Sequence, residues 1–229
     1  RIEGRLKGLR EKARMGAATA EERELKKMLK AYSYIDLEHH IAKVEQAKEI
    51  MRGPEFYDIV KAEESLNAFR EVMEYVSAAY YPASIQFYPV ESNLNIYRPW
   101  VSDDLLKAPH DENVNVYADI CRQLVFSAIE DEKPDVIGIS VGTPVQLMSG
   151  ITFSTLIKEK YPDIHVTIGG NIVTRLRDEF PKKEKFFGTA FDSIIFYEGE
   201  QAMVRLVEAL DGKLPMEKVP NLIYRGEDG

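Results

Sequence analysis

The sequence predicts an α/β protein, with a doubly wound and mostly parallel sheet that follows a helical N-terminal extension. Two observations lead to this fold class. From about residue 83, short apolar runs alternate with segments of helical periodicity, which is the pattern of a parallel sheet covered on both faces. Residues 1–82 show helical periodicity almost throughout. We therefore expect two parts, a helical extension at 1–82 and an α/β domain at 83–229.

The predicted extension contains three helical segments. Residues 5–30 are rich in Lys, Arg, Glu and Ala with few apolar side chains, which indicates a solvated helix or a frayed arm. Asp36 is placed to cap a second helix that ends near Gly53. A third helix carries apolar residues at helical spacing through 66–76.

The predicted elements of the α/β domain alternate along the chain. They are a strand at 84–88, a helix at 114–132, a strand at 136–141, a helix at 145–160, a strand at 165–168, a polar helical stretch at 172–187, a strand at 193–197, a helix at 201–210 and a strand at 221–224. The helix at 114–132 has an apolar side that we expect to be buried, formed by Tyr117, Ile120, Leu124, Phe126 and Ile129.

Composition and charge exclude several classes of function. The 229-residue chain carries a net charge of −8 and has a pI near 5.2, which argues against nucleic acid and anionic membranes as partners. Cys121 is the only cysteine, so no disulfide framework and no thiolate metal cluster is expected. No apolar segment is long enough to span a bilayer and no signal peptide is evident, so we expect a cytoplasmic protein.

The ends of the chain and its histidines carry little information about function. Residues 2–5 read Ile-Glu-Gly-Arg, a common protease-cleavage tag, so no argument rests on them. Residues 224–229 are mostly turn-forming and indicate a domain boundary. The four histidines show no metal-ligand spacing beside an acidic residue, and we predict no metal site formed by protein side chains.

Small residues follow three successive strands of the predicted sheet. They are Ser140-Val141-Gly142-Thr143, Gly169-Gly170-Asn171 and Tyr197-Glu198-Gly199-Glu200. The carboxyl ends of parallel strands share one edge of a sheet, and ligands of open α/β sheets bind there. Each loop alone is better explained by an ordinary turn, but three together predict a wide, flat ligand. The N-termini of the following helices would offer N–H groups to it.

Two common nucleotide sites are excluded at these loops. No Gly-Lys-Ser/Thr phosphate loop and no Gly-x-Gly-x-x-Gly fingerprint follows any predicted strand. Aromatic residues also cluster around the first predicted strand, at Tyr80, Tyr81, Phe87, Tyr88, Tyr97 and Trp100. Core packing is the ordinary reason for such a cluster, and a wall for a large apolar ligand is the alternative.

Taken as a set, the motifs of the second part resemble the cobalamin (vitamin B12)-binding domain of radical SAM enzymes. The resemblance rests on Pro134-Asp135-Val136-Ile137-Gly138-Ile139-Ser140, Gln146, Ile157-Lys158, Pro162, Ile168-Gly169-Gly170, Asp192, Tyr197-Glu198-Gly199-Glu200 and Val219-Pro220-Asn221-Leu222-Ile223-Tyr224. It is good over 134–229, moderate over 85–133 and absent over 1–80. It implies a flavodoxin-like, Rossmann-like cobalamin-binding domain that precedes a radical SAM domain.

One family motif is not present in the sequence. Cobalamin-binding domains in general carry Asp-x-His-x-x-Gly, then Ser-x-Leu, then Gly-Gly. Residues 140–142 and 169–170 stand at the second and third motifs, but the first falls on 93–98, where Asn93, Asn95 and Arg98 replace Asp, His and Gly. The axial-ligand histidine is therefore missing, and the resemblance implies a cobalamin bound without a protein imidazole.

The resemblance also implies roles for the predicted site residues. Residues 140–143 would contact the cofactor's nucleotide tail, 169–171 would line its channel, 197–200 would form the adjoining rim, and Asn93, Asn95 and Tyr97 would lie over cobalt. The Cys-x-x-x-Cys-x-x-Cys motif of the iron–sulfur cluster does not occur. S-adenosylmethionine and a 4Fe-4S cluster would then belong to a downstream radical SAM domain of the same polypeptide, and this chain would not be catalytic alone.

The implied enzyme is a methyltransferase in which cobalt relays a methyl group from S-adenosylmethionine to a substrate radical. Two alternatives remain open at this point. One is a non-catalytic α/β ligand-binding or interaction module that has lost the cofactor. The other is a stand-alone methyl-carrier corrinoid protein, against which the missing histidine counts. The N-terminal helices offer a surface through which the chain could form an oligomer, and the substrate is not indicated.

Overall fold

The computed structural model describes residues 1–87 and 91–226, with backbone only at 91–93. The chain forms two compact units, Arg1–Ile96 and Tyr97–Gly229. Residues 83–96, which we had placed with the α/β domain, lie in the first unit. The helices are α1 Ile2–Arg14, α2 Ala20–Tyr32, α3 Leu37–Arg52, α4 Ile59–Ala79, α5 Ser102–Lys107, α6 Val116–Ile120, α7 Phe126–Glu132, α8 Val145–Lys160, α9 Asn171–Arg175 and α10 Glu200–Leu210. The strands are β1 Ser84–Gln86, β2 Glu91–Asn93, β3 Val136–Ser140, β4 His165–Gly169, β5 Ser193–Ile195 and β6 Leu222–Tyr224.

The first unit begins with two helices where the sequence predicted one solvated arm. Gly16, at φ 69°, follows the end of α1 in the left-handed region. Thr19 and Glu22 then form a reciprocal capping box that starts α2. The few apolar side chains are buried together in a small core of Ile2, Leu6, Leu9, Leu29 and Ala79. The segment 5–30 is therefore helical and mostly exposed, but it forms two helices that share a small core, and not the single solvated helix or frayed arm that we expect from the sequence.

The remaining helices of this unit follow the sequence signals. Asp36 caps α3 by accepting a hydrogen bond from the His39 N–H at 3.1 Å, and the helix stops before Gly53 as predicted. The predicted strand at 84–88 is present as β1, but it pairs antiparallel with β2 in a separate two-stranded sheet. No strand is predicted from the sequence at the β2 residues.

The second unit contains a four-stranded sheet in the order β3-β4-β5-β6. The first three strands are parallel and β6 is antiparallel, which confirms the mostly parallel sheet. Ser140 lies opposite Gly169, and Ile168 lies opposite Ile194. This register brings the loops that follow β3, β4 and β5 to one edge.

Helices cover both faces of this sheet. On one face, α8 approaches so closely that a Cβ on Gly150 would lie 2.8 Å from Val141 Cγ2. On the other face, Met203 of α10 lies beside Gly138. Gly138 and Ile139 are consecutive in β3 and so face opposite sides, and Ile139 contacts α8 through the same Gly150. The doubly wound arrangement predicted from the sequence is therefore confirmed.

The helix predicted at 114–132 is interrupted by a π-helical turn at Cys121–Val125, between α6 and α7. Its buried side is formed by Val116, Ala118, Cys121 and Ile129. Ile120 is 37% exposed and Leu124 66% exposed, so the prediction that both are buried is wrong. A π turn adds one residue to a turn of the helix and so shifts the residues on either side of it relative to each other. The regular 3.6-residue period therefore does not predict which side chains are buried on both sides of this turn.

The polar stretch at 172–187 is less helical than predicted. It forms the short helix α9 followed by 3₁₀ turns at Phe180–Lys182 and Glu184–Phe186. Phe180, Phe186 and Phe191 pack against each other there, with the rings of Phe186 and Phe191 stacked at 5.9 Å between centroids. Aromatic packing thus determines the path of this segment.

Candidate functional site

A cavity of about 370 Å³ opens at the carboxyl ends of the parallel strands. Volumes of roughly 300–1,000 Å³ are usual for small-molecule sites. Its lining residues come from β3, β4, β5 and α10 and from the loops between them. They are Gly138, Ile139, Ser140, Thr167, Ile168, Gly169, Gly170, Ile195, Tyr197, Gly199 and Met203.

The floor of this cavity is made of small side chains on the α10 face of the sheet. Gly138 and Ser140 of β3 lie beside Thr167 and Gly169 of β4, and alternate residues of a strand share a face. A Cβ on Gly138 would lie 3.5 Å from Met203 Cε, which is an ordinary contact distance. Packing therefore does not demand glycine at 138, because a single methyl group there would make ordinary contacts with Met203 and Thr167.

Gly169 and Gly170, in contrast, are required by the backbone around them. A Cβ on Gly169 would come within 3.0 Å of the Ile195 carbonyl oxygen. Gly170 has φ 101°, and a Cβ there would come within 2.6 Å of the Val141 carbonyl oxygen. Both glycines border the cavity, but chain geometry alone is enough to explain them.

The loop after β3 contributes less to the cavity than the sequence suggested. The N–H groups of Gly142 and Thr143 donate to Gln146 Oε1 at 2.9 and 3.2 Å. The expectation that these groups are available to a ligand is therefore wrong, since one side chain already satisfies both. Val141 is buried, and its N–H donates to the Gly169 carbonyl at 2.8 Å. Of the four predicted loop residues, Ser140 lines the cavity.

The loop after β5 places one large side chain at the cavity. Tyr197 has φ 60°, its N–H donates to Thr174 Oγ1 at 2.9 Å, and its hydroxyl accepts from Arg177 Nη1 at 2.9 Å. Gly199 also lines the cavity. The other predicted residues of these loops are exposed and lie outside the lining: Asn171, Glu198 and Glu200.

The residues predicted over cobalt are not among those that line the cavity. Asn93 and Asn95 belong to the first unit; the side chain of Asn93 lies outside the described residues, and the Asn95 amide donates to the Pro82 carbonyl. Tyr97 donates its hydroxyl hydrogen to Asp111 Oδ2 at 2.9 Å. Burial, together with this carboxylate, raises the pKa of Tyr97 to about 12. Tyr97 is therefore a neutral hydrogen-bond donor.

Charged groups gather at the opposite end of the sheet. Lys158 Nζ lies 2.9 Å from Asp192 Oδ2 and also donates to the Pro162 carbonyl, and the same carboxylate oxygen accepts from the Val166 N–H. Nearby, His165 Nε2 lies 2.9 Å from a serine hydroxyl on β5, and burial lowers the pKa of this histidine. These contacts join β4, β5 and α8, and they explain the resemblance positions Lys158, Pro162 and Asp192 as structural.

Sequence reasoning missed Gly138, Thr167 and Met203, which line the cavity from strand interiors and from α10. The sequence did contain a signal for Gly138. Gly138 and Ser140 alternate with isoleucines in the strand, so the small residues share one face of the sheet. Met203 gave no signal, because its position depends on how α10 crosses the sheet.

A second, apolar cavity of about 360 Å³ borders the same strand-end loops through Pro144 and Ile172. Its other lining residues are Pro99, Trp100, Ser102, Leu105, Leu147, Leu176, Glu179, Phe180, Lys183 and Phe186. Among the described residues, no group of three or more His, Cys, Asp or Glu side chains is arranged to hold a metal ion. In the same part of the chain, no helix has both the length and the apolar character needed to cross a membrane.

Part of the chain that contains the strand-end cavity matches a known family. Residues 104–207 match the family model of the B12 binding domain. The matched segment contains the cavity-lining residues from Gly138 to Met203. The resemblance to a cobalamin-binding domain is therefore confirmed over this segment. No curated protein and no solved structure gives a significant match.

Proposed function

We propose that the second unit binds cobalamin at the strand-end cavity, with the nucleotide tail of the cofactor against the small-residue floor. The observation that carries this proposal is the position of that floor within the segment that matches the B12 binding domain. Gly138, Ser140 and Gly169 would hold the tail, and Gly199 would leave room at the rim. Bound cobalamin would supply methyl-transfer chemistry.

The lining residues fit a ligand of this kind. The fold does not require glycine at 138, because a Cβ there would make only ordinary contacts with Met203 and Thr167. Ser140 is exposed, and its hydroxyl makes no hydrogen bond within the described part of the chain, so it is available to a polar group of a ligand. Ile139, Ile168 and Ile195 supply apolar contact.

We further propose that cobalamin binds here without a histidine ligand. None of the cavity-lining residues is a histidine. His165 lies at the amino end of β4, whereas the cavity lies at the carboxyl ends of the strands. His110 Nε2 lies 3.3 Å from Glu159 Oε1. No imidazole of the cavity lining would then bind the cobalt of the cofactor, and ligand identity is a principal control of a metal's electronic properties.

The wider role that we propose is the cobalamin-binding part of a radical SAM methyltransferase. The support for this role is the set of sequence motifs, including the absence of the axial histidine at 93–98. A Cys-x-x-x-Cys-x-x-Cys motif downstream in the same reading frame is the expected finding. A reading frame that continues without such a motif would contradict this role. It would not contradict cobalamin binding, which is tested separately.

Retention of cofactor colour tests cobalamin binding directly. The chain mixed with hydroxocobalamin and then desalted should retain the visible absorption of the cofactor. Gly138→Val should lose that absorption, because the added methyl groups fill the cavity floor. Its melting temperature should change little, because the nearest neighbour of the added side chain is the flexible end of Met203 and valine favours strands.

Gly226→Val is the matched control, because a Cβ at Gly226 meets no atom within 4 Å and the residue lies outside the cavity. It should retain colour as the unaltered chain does. An unaltered chain that is folded but colourless would instead favour the α/β module that has lost its cofactor.

A further inference from the structure

Tyr197 is the aromatic member of the cavity lining and has an unusual backbone conformation. Its φ of 60° lies in the left-handed region, which is rare and costly for a bulky residue. The side chain is 54% exposed, so it is not held there by burial in a core. A residue that keeps a costly conformation without core packing indicates a functional constraint.

Two neighbouring side chains hold Tyr197 in position. Thr174 Oγ1 accepts from its N–H at 2.9 Å, and Arg177 Nη1 donates to its hydroxyl at 2.9 Å. The guanidinium carbon of Arg177 also lies 5.7 Å from the ring centroid. Both partners come from α9 and the residue run just after it, so the segment between β4 and β5 orients the ring. The ring position is therefore pre-organised.

We propose that Tyr197 recognises the flat aromatic base of the cofactor's nucleotide by stacking on it, as a specificity-determining residue. This inference rests on the proposed cobalamin function. Tyr197 lines the same cavity as Gly138 and Gly169, which carry no side chain, so the ring and the small-residue floor border one space. Stacking between an aromatic side chain and a base tolerates many bases but requires a π-face.

The chemical consequence is a preference among corrinoids. A complete corrinoid that carries an aromatic lower base should bind better than cobinamide, which has the same corrin ring but no nucleotide. Removal of the Tyr197 ring should reduce this preference and should leave the affinity for cobinamide nearly unchanged.

The test compares hydroxocobalamin and aquacyanocobinamide by absorption titration of the unaltered chain, Tyr197→Phe and Tyr197→Gly. Tyr197→Gly should weaken cobalamin binding about tenfold or more, the size of effect that base stacking produces. Tyr197→Phe keeps the ring and should stay within about threefold of the unaltered chain. The melting temperature of Tyr197→Gly should not fall, because glycine adopts positive φ without strain.

Lys133→Gly is the matched control, since Lys133 also has positive φ (49°) but caps α7, outside the cavity lining. It should leave both affinities unchanged. Equal losses of cobalamin and cobinamide affinity, or no loss at all in Tyr197→Gly, would overturn the stacking role while leaving cobalamin binding in place. A lowered melting temperature with unchanged corrinoid preference would show that Tyr197 is merely structural. Failure of the unaltered chain to bind either corrinoid would overturn both proposals.

Discussion

At the scale of single residues, the three cavity glycines on β3 and at the end of β4 differ in what the fold requires. Gly169 and Gly170 are needed because backbone oxygens occupy the positions next to their Cα atoms. No backbone oxygen lies so close to the position of a Cβ at Gly138, and Gly138 forms part of the cavity floor. A glycine inside a strand weakens the strand, so its presence there indicates close approach by another group.

His165 gives the pH dependence expected at the residue scale. Burial lowers its pKa in the folded chain below the ordinary histidine value, with Asp192 opposing this shift and Lys158 adding to it. The unfolded chain therefore takes up a proton first as the pH falls. Neutral His165 therefore makes its full contribution to stability above about pH 6.5, the ordinary histidine pKa. This contribution is lost as the pH falls towards the lowered pKa of His165 in the folded chain.

Thermal unfolding from pH 8 to pH 5 measures this effect. The free energy of unfolding should fall with decreasing pH in the unaltered chain, and the fall should be smaller in His165→Gln. His110→Gln is the control, because His110 lies on an exposed turn whereas His165 is half-buried. Identical profiles in all three proteins would show that His165 does not contribute.

At the scale of elements, prediction succeeded where local signals and tertiary packing agree. The helix expected at 145–160 is present with those bounds, because a turn with proline precedes it and its apolar residues continue to its end. The helix predicted at 114–132 is also present, but the prediction of its buried side failed, because the π turn between α6 and α7 is a tertiary feature without a sequence signature. Prediction failed also at β2, where pairing with β1 determines the strand.

The Gln146 side chain provides a prediction for the start of α8. It accepts the N–H groups of Gly142 and Thr143, as a capping side chain does. Gln146→Ala should therefore lower the free energy of unfolding by about 1 kcal/mol. Urea denaturation measures this change.

Ser149→Ala is a suitable comparison at α8, because the Ser149 hydroxyl bonds within the helix to the Gln146 carbonyl and not to the loop. It should change stability by less than Gln146→Ala. A loss in Ser149→Ala equal to that in Gln146→Ala would contradict the capping role.

At the scale of the whole molecule, the sequence predicted which loops meet but not which face of the sheet they leave open. Parallel strands place their carboxyl ends on one edge, so Ser140, Gly169 and Tyr197 could be brought together from the order of elements alone. The cavity lies on the α10 face because α8 packs closely against the other face. Which helix leaves space on the sheet depends on tertiary packing, so the sequence could not predict it. Residues 93–97 could not be placed by motif spacing, because the boundary between the two units falls within them.

Hydrogen–deuterium exchange with and without hydroxocobalamin tests most directly whether the strand-end cavity is the cobalamin site. Added cofactor should protect the backbone amides of the lining residues, which are 138–140, 167–170, Tyr197, Gly199 and Met203. Amides at 158–165, at the opposite end of the sheet, should exchange as before. Protection confined to residues 99–105 and 176–186, around the second cavity, or no protection at all, would contradict the account.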